Sequence, residues 1–331
     1  MKHANISIFI PHNGCPHKCS FCNQKSITGQ AYQPTGEDVK TTLTKAVSDL
    51  GDRSKETEIA FFGGSFTAID RQYMLELLTA AKPFTEVFKG IRISTRPDCI
   101  DDEVLTLLKE YGVTSIELGA QSMDNSVLEL NNRGHKAEDV VNASKRIKEF
   151  GFSLGLQMMT GLYGSDFDKD IKTAESFIAL KPDTVRIYPT VIMKNTDLAD
   201  YYHSGKFVPY TLDESVELCS RLILMFEREG ISIIRLGLHY SDSLVDDSLG
   251  DNYHPAFKEL CESKIFYNSF LEQTANLPSK KFDVYINQRS LSKFLGQKKS
   301  NIKKLNALGY ELTVNFDNEL SKYELKLGEV R

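Results

Sequence analysis

"EIAFFGGSFTAIDRQYMLELLTAAKPFTEVFKGIRISTRP", residues 58–97, contains one complete strand–helix–strand unit. Its two ends, EIAFF and IRIST, are apolar at most positions, whereas RQYMLELLTAA repeats its apolar residues every three or four positions. Strands that are apolar on both faces are covered on both faces, and the right-handed crossover rule makes two such strands parallel. This stretch therefore predicts a parallel sheet with helices packed against it.

The same unit repeats along most of the 331-residue chain. Strand-like runs occur at residues 6–12, 58–64, 90–97, 114–121, 153–161, 183–192 and 231–239. Amphipathic helical segments lie between them, and several of these segments end at glycine. Six or seven such units curl into a partial (β/α) barrel, and the working face of a barrel lies at the carboxyl ends of its strands.

The pattern changes after residue 240. An acidic, glycine-containing stretch leads into a helix with an apolar stripe, and together they form a connecting segment at residues 241–278. The tail, residues 279–331, has the order strand, helix, loop, helix, strand, strand. We therefore predict an α/β fold with a partial barrel at residues 1–240 and a small C-terminal α+β domain.

Composition limits the classes of function. Hydrophobic residues at 41% and charged residues at 26% are typical of a globular protein outside membranes, and no apolar run is long enough to cross a bilayer. The start, MKHANISIFIPHNG, lacks the features of a signal peptide, so we expect a cytoplasmic protein. The net charge of −5 excludes a wholly basic nucleic-acid binder. The tail, however, holds eleven Lys and Arg against six Asp and Glu, so we expect any polyanion to contact the tail.

Three cysteines, Cys15, Cys19 and Cys22, occupy eight consecutive positions after the first strand. Cytoplasmic thiols stay reduced, so this cluster predicts a metal centre and not a disulfide. The other cysteines are scattered and are expected to be small buried hydrophobes: Cys99, Cys219 and Cys261.

The spacing leaves two kinds of metal centre open. Tetrahedral zinc needs a fourth ligand, which His3, His12 or His17 could supply. A cubane iron–sulfur cluster takes four outside ligands, so three thiolates leave one iron free for a substrate or cofactor. The second solution explains why the chain offers three thiols and not four.

The motif Cys15-x3-Cys19-x-Phe21-Cys22 resembles the signature of the radical S-adenosylmethionine (radical SAM) enzymes. Over about residues 4–240 the chain is also similar, segment by segment, to the radical core of the Elongator catalytic subunit, which modifies the wobble uridine of transfer RNA. The similar segments are GGSFTAID, STRPDCID, IELGAQSMDNSVLELNNRGH, MMTGLYG and VRIYPTVIMKNTDLADYYHSGKFVPY. Two features differ: fewer than a hundred residues stand where the Elongator acetyltransferase domain would follow, and Tyr163 replaces the usual proline.

The resemblance implies a barrel of the radical SAM type, a 4Fe-4S cluster held by the three cysteines, and bound S-adenosylmethionine. It also implies a 5'-deoxyadenosyl radical that removes hydrogen from a nucleoside in tRNA or another RNA, and an electron donor such as flavodoxin or ferredoxin. Two other functions stay open: a radical SAM enzyme acting on a small porphyrinogen-like molecule, and a non-catalytic zinc-containing RNA-binding protein.

Several residues near the strand ends are predicted to bind the cofactor. Gly63 and Gly64 allow the backbone to approach the amino group of S-adenosylmethionine, although glycines at a strand end also serve tight turns. Glu117 and Gln121 share one face of the fourth strand and can bond ribose hydroxyls or the cofactor carboxylate; equally, Glu117 can pair with an arginine of a neighbouring strand. The full predicted set is Phe21, Gly63, Gly64, Ser65, Arg96, Glu117 and Gln121, with pairing to Asp98 or Asp101 as the alternative for Arg96.

Three residues are predicted to act on the substrate side. Arg133 and His135 belong to NNRGHKAED, a loop that precedes an amphipathic helix on the working face. Tyr188 follows the sixth strand, where a phenol can stack on adenine or meet a radical intermediate. The alternatives are helix capping for His135 and simple core packing for Tyr188.

The order of elements in the tail resembles a KH module, in which a GXXG loop clamps a nucleic-acid backbone. The loop here is Gly296-Gln297-Lys298-Lys299, with lysine in place of the second glycine. The predicted RNA-binding residues are Arg289, Lys293, Lys298, Lys299, Lys303 and Lys304. The alternative is a small cap on the barrel with a solvated basic face.

Overall fold

The computed structural model describes residues 4–10, 15–23 and 32–328. The chain forms two compact units, the first made of Met1–Tyr210 with Phe226–Tyr253 and the second of Thr211–Met225 with His254–Arg331. In the described residues, no helix is both long enough and apolar enough to cross a membrane.

The first unit is built on one parallel sheet. Its strands, numbered in chain order, are β1 Ala4–Ile10, β2 Thr57–Gly63, β3 Ile91–Thr95, β4 Val113–Gln121, β5 Ser153–Thr160, β6 Thr184–Pro189, β7 Ile192–Met193, β8 Ser232–Leu236 and β9 Ser248–Leu249. Seven strands form a sheet in the order β1-β2-β3-β4-β5-β6-β8, with every neighbouring pair parallel, whereas β7 and β9 form a separate antiparallel pair. The sheet curls into a half-barrel, which confirms the predicted partial (β/α) barrel.

Helices connect successive strands. They are α1 Gly36–Leu50, α2 Arg71–Ala81, α3 Asp102–Glu110, α4 Asn125–Leu130, α5 Ala137–Glu149, α6 Phe167–Leu180, α7 Asp197–His203, α8 Leu212–Arg228 and α9 Asp242–Asp247. Four of them begin after an aspartate whose carboxylate accepts a hydrogen bond from the backbone N–H three residues on: Asp70, Asp101, Asp124 and Asp166. Such a cap satisfies an otherwise unpaired N–H and puts negative charge at the positive helix end, so it fixes where each loop ends.

Alternation along the strands separates an apolar outer face from a polar interior. On β2, Ile59 and Phe61 are fully buried. Glu58, the residue before Ile59, points into the curled sheet, where it forms an ion pair with Arg92 of β3. On β4, Ile116 and Leu118 are likewise fully buried and flank the inward-facing Glu117. The apolar positions pack under the helices, which leaves charged side chains facing one another inside.

Those interior charges form one alternating chain across the sheet. Arg92 donates to Glu58 at 2.8 Å and to Glu117 at 3.2 Å, and Arg186 of β6 donates twice to Glu117, at 2.6 and 2.9 Å. Gln157 of β5 adds a bond of 2.7 Å to the same carboxylate. Glu117 therefore takes the alternative geometry, in which arginines of other strands occupy its carboxylate.

Electrostatics holds this carboxylate ionised. Burial alone raises the pKa of Glu117, but Arg186 and Arg92 outweigh burial, so its pKa lies below the ordinary value. The side chain is 1% exposed, so its charge has little access to water and depends on the two guanidinium groups.

The second unit has its own core. Besides the greater part of α8, its elements are α10 Phe257–Thr274, β10 Lys281–Ile286, α11 Leu291–Leu295, α12 Ser300–Ala307, β11 Glu311–Phe316 and β12 Leu325–Gly328. Strand β10 lies in the middle, parallel to β11 and antiparallel to β12. Aromatic rings meet edge to face beneath this sheet, with Phe270 against Phe282 at 5.7 Å and Phe266 against Phe294 at 6.1 Å. The predicted order of strands and helices in the tail is thus confirmed.

The substitution Glu117→Gln should strongly destabilise the first unit. It removes the one negative charge shared by Arg92 and Arg186, and breaking a buried ion pair typically costs about 3–5 kcal/mol. We expect a clearly lower urea midpoint than for the unchanged protein. The matched control is Glu103→Gln, because Glu103 pairs with Arg71 at 2.9 Å but is 82% exposed, and such pairs contribute about 1 kcal/mol or less. Equal midpoints for the two variants would contradict a stabilising role for the interior chain of charges.

Candidate active site

A cavity of about 520 Å³ lies inside the curled sheet. It brings together five of the predicted site residues: Phe21, Cys22, Gly63, Gln121 and Tyr188. These residues come from the segment after β1 and from strands β2, β4 and β6, so the barrel gathers side chains that are far apart in the sequence. The cavity is therefore the candidate active site.

The cysteine segment runs beside this cavity. Cys19 is buried, Cys22 is half-buried, and the Cys22 N–H donates to the Cys19 carbonyl at 3.1 Å. Cys15 is exposed on the surface, yet partial burial of its thiol and the neighbouring Cys19 both raise its pKa. In the part of the chain that the structure describes, no three His, Cys, Asp or Glu side chains come close enough to hold one metal ion.

The zinc alternative required a histidine as fourth ligand. His3 and His12 lie outside the described residues. His17 is described, and its ring packs so closely on Gly134 that a Cβ there would overlap it. Gly134 has a φ of 71°, a backbone conformation that also favours glycine. The contact shows that the loop after α4 supports the cysteine segment.

Residues 131–135, NRGH with the asparagine before it, grip that segment at further points. The Ser20 hydroxyl donates to the Asn131 side chain at 2.7 Å, and the Ser20 N–H donates to the Asn131 carbonyl at 3.2 Å. The Arg133 guanidinium donates to the Cys19 sulfur at 3.1 Å and to the Gly119 carbonyl. The structure thus places Arg133 against a cysteine of the motif, whereas the sequence suggested the substrate side.

His135 lies behind this contact. It is 4% exposed, its Nε2 lies 3.2 Å from the Ala120 carbonyl, and its Nδ1 is buried without a partner among the described residues. Burial, with Arg133 and Arg96 nearby, lowers the pKa of His135 to about 4. The imidazole is therefore neutral at ordinary pH, and neither it nor Arg133 is among the residues that line the cavity.

The glycine pair after β2 meets the end of β1. Gly63 has a φ of 121°, and a Cβ on it would come within 2.5 Å of the Ile10 carbonyl oxygen. The Gly64 N–H donates to that same carbonyl at 2.9 Å. Only glycine fits at position 63, because the backbones of β1 and β2 approach each other closely there. The missing side chain also leaves space in the cavity wall.

The polar side chains of Ser65 and Arg96 form hydrogen bonds to other residues of the protein. Ser65 is fully buried, and its hydroxyl bonds to Thr95 at 2.8 Å and accepts from the Arg96 N–H at 3.2 Å. The Arg96 guanidinium donates to both Asp98 oxygens, at 2.9 and 2.8 Å, and to the Arg133 carbonyl at 2.6 Å. Arg96 therefore takes the alternative geometry, a pair with Asp98, and Asp98 holds it against the loop of residues 131–135.

Gln121 is the clearest sign of a ligand among the predicted cofactor residues. It ends β4 with a φ of 69°, which is unusual outside glycine, and lines the cavity. Its side-chain oxygen is buried and finds no hydrogen-bond partner in residues 4–10, 15–23 and 32–328. A buried acceptor with no partner is costly, so a bound donor at this point would stabilise the site.

Tyr188 and Arg186 form the wall on the β6 side. Tyr188 lines the cavity and hydrogen-bonds to Arg186, and burial raises the pKa of the phenol, so it stays protonated. Arg186 also stacks over Phe62, at 4.8 Å from the ring centre. Sequence reasoning missed the inward-facing residues Arg186 and Gln157, together with Arg235 and His239 at β8. The signal was a polar residue at alternate positions of otherwise apolar strands, as in VRIYP and IIRLGLH.

Tyr163, which replaces the usual proline, has a packing role. Its ring lies 5.0 Å from that of Tyr201 and 6.0 Å from that of Phe207, and its carbonyl accepts from the Asn131 side chain at 2.9 Å. Phe21 packs against the same cluster. The loop after β5 thus supports both the cysteine segment and residues 131–135.

The same loop is anchored by a buried acid. Asp170 is 2% exposed and accepts hydrogen bonds from the Gly161 N–H at 2.8 Å and the Ser165 hydroxyl at 2.6 Å. Burial raises the pKa of Asp170 from 3.8 to about 7 in spite of these bonds. The folded chain therefore binds this proton more tightly than the unfolded chain, and the stabilisation is complete at low pH and lost as the pH rises through about 7.

We expect Asp170→Asn to change the pH dependence of stability. The amide mimics the protonated acid, so from about pH 4 to about pH 7 the unchanged protein should lose up to about 1.4 kcal/mol per pH unit relative to the variant. Urea unfolding at several pH values measures this difference. The control is Asp168→Asn, an exposed residue on the same helix, which should leave the pH dependence unchanged. Parallel curves for Asp170→Asn and the unchanged protein would contradict the assignment.

The six predicted RNA-binding residues of the second unit divide into two groups. Lys293 pairs with Glu262 at 3.4 Å, and Lys304 lies 5.9 Å from the centre of the Tyr267 ring. The others are exposed and have no acidic partner among the described residues: Arg289, Lys298, Lys299 and Lys303. The second group offers free charge to an anion.

The loop before α12 has an unusual backbone. Gly296, Lys298 and Lys299 have φ values of 72°, 51° and 60°. Helix α12 starts immediately afterwards with no side-chain cap. A left-handed conformation costs a lysine about 1–2 kcal/mol. The backbone conformation of this loop therefore lowers the stability of the fold.

Comparison with known proteins agrees with this geometry. The Radical SAM superfamily model matches residues 9–177, and the Radical SAM C-terminal domain model matches residues 182–266. The chain is similar to the tRNA uridine(34) acetyltransferase of Methanocaldococcus jannaschii, with 28% identity over 66% of this chain and 48% of that protein. It is also 29% identical to Elongator complex protein 3 of Homo sapiens, over 67% of this chain and 46% of that protein. The chain thus spans about half the length of these relatives.

Among solved structures, the archaeal Methanocaldococcus infernus Elp3 with an N-terminal deletion matches with a TM-score of 0.62. It covers 83% of this chain and 64% of that chain at 20% identity. At that identity the match shows only that the two chains share a fold. Together these findings confirm the resemblance seen in the sequence.

Proposed function

Because this chain belongs to the radical SAM superfamily, we propose that Cys15, Cys19 and Cys22 hold a 4Fe-4S cluster and that the cavity binds S-adenosylmethionine beside it. The observation that carries the proposal is the Arg133 contact to the Cys19 sulfur at 3.1 Å, next to a cavity lined by Cys22, Gly63 and Gln121. Together the cluster and S-adenosylmethionine would supply one-electron cleavage of the sulfonium to a 5'-deoxyadenosyl radical.

The donor set fits such a cluster. Three thiols in one short segment leave a fourth coordination position for the cofactor, and the hydrogen bond from the Arg133 guanidinium to the Cys19 sulfur holds that ligand in place. Arg133 is 7% exposed and held by the Gly119 carbonyl, so its charge is fixed in place. We assign Arg133 to positioning of the cysteine segment, with His135 as the neutral group that packs behind it.

Four residues would bind or confine the cofactor. Phe21 and Gly63 form the wall next to the cysteines, Gln121 offers its unpaired side-chain oxygen to a donor, and Tyr188 closes the β6 side. Gly64, Ser65, Arg96 and Glu117 support these residues from behind through the bonds described above. A flavodoxin or ferredoxin would deliver the electron, and the protein would work in the cytoplasm.

Anaerobic reconstitution tests the cluster. The unchanged protein should become brown, bind about four iron and four sulfide per chain, and release 5'-deoxyadenosine from S-adenosylmethionine under reduction. Cys19→Ser should lose both the cluster and the product. Cys99→Ser is the matched control, because Cys99 lies near Arg96 but outside the motif, and this variant should keep both. A colourless protein that binds one zinc would overturn the proposal.

We propose further that the substrate is a nucleoside in RNA, namely in tRNA. The support is the similarity of two-thirds of this chain to relatives named tRNA uridine(34) acetyltransferase and Elongator complex protein 3. Exposed lysines on the loop before α12 add a surface suited to phosphates. The proposal covers the radical step alone, because the chain matches only about half of those relatives.

The double substitution Lys298→Glu with Lys299→Glu should weaken tRNA binding. Each phosphate contact that is lost should make the plot of log affinity against log salt less steep, by about 0.7–0.9 in slope. Filter binding at several salt concentrations measures both quantities. Lys45→Glu with Lys55→Glu is the control, because it makes the same charge change at exposed positions of the first unit.

Two results would each contradict one part of this proposal. One is equal tRNA affinity and salt slope for the loop variant, the control and the unchanged protein, which would remove the loop as an RNA contact but not RNA as the substrate. The other is an identical set of tRNA nucleosides, by mass spectrometry, in a deletion strain and its parent. The second result would point to a small-molecule substrate, since it leaves the radical chemistry intact.

A further inference from the structure

Among the residues that the structure describes inside the half-barrel, one guanidinium has no carboxylate to balance it. The charges of Glu58, Arg92, Glu117 and Arg186 alternate and cancel. Arg235 of β8 stands in register with Arg186 of β6, so both side chains leave the sheet on its inner face. Among the described residues, no Asp or Glu lies within ion-pair distance of Arg235.

The hydrogen bonds of Arg235 leave its outer nitrogens unused. Its Nε donates to the Gly237 carbonyl at 2.8 Å, and no further bond of its side chain occurs within the described ranges. The Nε bond fixes the plane of the guanidinium and leaves the two terminal amino groups side by side. Such a pair of donors matches two oxygens of one carboxylate or phosphate.

The groups around Arg235 are cationic or phenolic. Burial lowers the pKa of Arg235, and Arg186 lowers it further, while Tyr188 and Tyr253 oppose this. Burial, Arg235 and Arg186 likewise lower the pKa of His239. The Tyr253 hydroxyl is buried and has no hydrogen-bond partner in the described part of the chain. An unpaired half-buried cation beside an unpaired buried hydroxyl is costly, and one bound anion would satisfy both.

This region borders the cavity. Residues 238–241 directly follow the Gly237 carbonyl that holds Arg235, and they line the same cavity as Cys22 and Gly63. S-adenosylmethionine must reach the cysteine segment, so its carboxylate belongs with the walls near Cys22. The β8 side of the cavity is then left for the substrate.

We propose that Arg235 and the Tyr253 hydroxyl bind an anionic group of the substrate, namely a phosphodiester of the RNA strand next to the target nucleoside. The inference rests on the proposed RNA substrate and adds to it a second phosphate site, in the first unit. The phosphodiester places the nucleoside in the cavity, so Arg235 positions the substrate and takes no part in bond cleavage.

The test uses the full chain, reconstituted anaerobically, with an unmodified tRNA transcript as the probe. Arg235→Gln should weaken tRNA binding about tenfold and lower the salt slope by about 0.7–0.9, because one phosphate contact is lost. Arg235→Lys should keep most of the slope, since the charge remains, but should bind less tightly because the paired donors are gone. Tyr253→Phe should weaken binding without changing the slope.

Two controls separate this site from general effects. Arg53→Gln removes an equal charge from an exposed position just before β2, at the opposite end of the strands, and should leave binding unchanged. The affinity for S-adenosylmethionine, measured by calorimetry without tRNA, should be the same in Arg235→Gln and the unchanged protein. A fall in the affinity for S-adenosylmethionine instead would show that Arg235 binds the cofactor carboxylate, and would overturn the inference.

The outcomes also separate the phosphate site at Arg235 from the proposed RNA substrate on which it rests. If the unchanged protein binds tRNA and Arg235→Gln binds it with the same affinity and slope, the phosphate site is wrong and the RNA substrate stands. If the unchanged protein does not bind tRNA at all, both are wrong.

Discussion

The alternating chain of charges inside the half-barrel is the constraint on which the site depends. Glu117 can lie on β4 at 1% exposure only because guanidinium groups from β3 and β6 reach it. Those contacts require one particular register of the strands, since a shift by one residue would turn every charge toward the apolar face. The register in turn decides which residues end each strand, so it places Gly63, Gln121 and Tyr188 around one cavity.

The sequence predicted the strands, the helices and the parallel order well, because apolar periodicity and glycines at segment ends are local signals. It left the partner of Glu117 open for a physical reason. Arg186 lies 69 positions further along the chain, and only the register of β4, β5 and β6 brings the two together. Local patterns show that a carboxylate faces inward, but the curl of the sheet decides which charge it meets.

The loop of residues 131–135 illustrates the same limit nearer the site. Sequence placed both Arg133 and the cysteines at the carboxyl ends of strands, and the structure agrees with that placement. The side chain of Arg133 nevertheless turns toward Cys19, 114 positions away, because Gly119 and Asn131 hold the loop against the cysteine segment. An arginine on a working face can serve the substrate or the metal ligands, and only tertiary contacts choose between these roles.

Net charge says little about partners in this molecule. The chain as a whole carries −5, yet it presents cations without an acidic partner among the described residues both inside the sheet of the first unit, at Arg235, and on a strained loop of the second, at Lys298 and Lys299. Each of these groups lacks an acidic neighbour among the described residues, so its positive charge is available to a bound anion. Arg186 and Lys293, in contrast, are neutralised by Glu117 and Glu262. An anion is therefore recognised by cations that the fold leaves without an acidic partner and holds at a fixed position, as it does Arg235 through the Gly237 carbonyl.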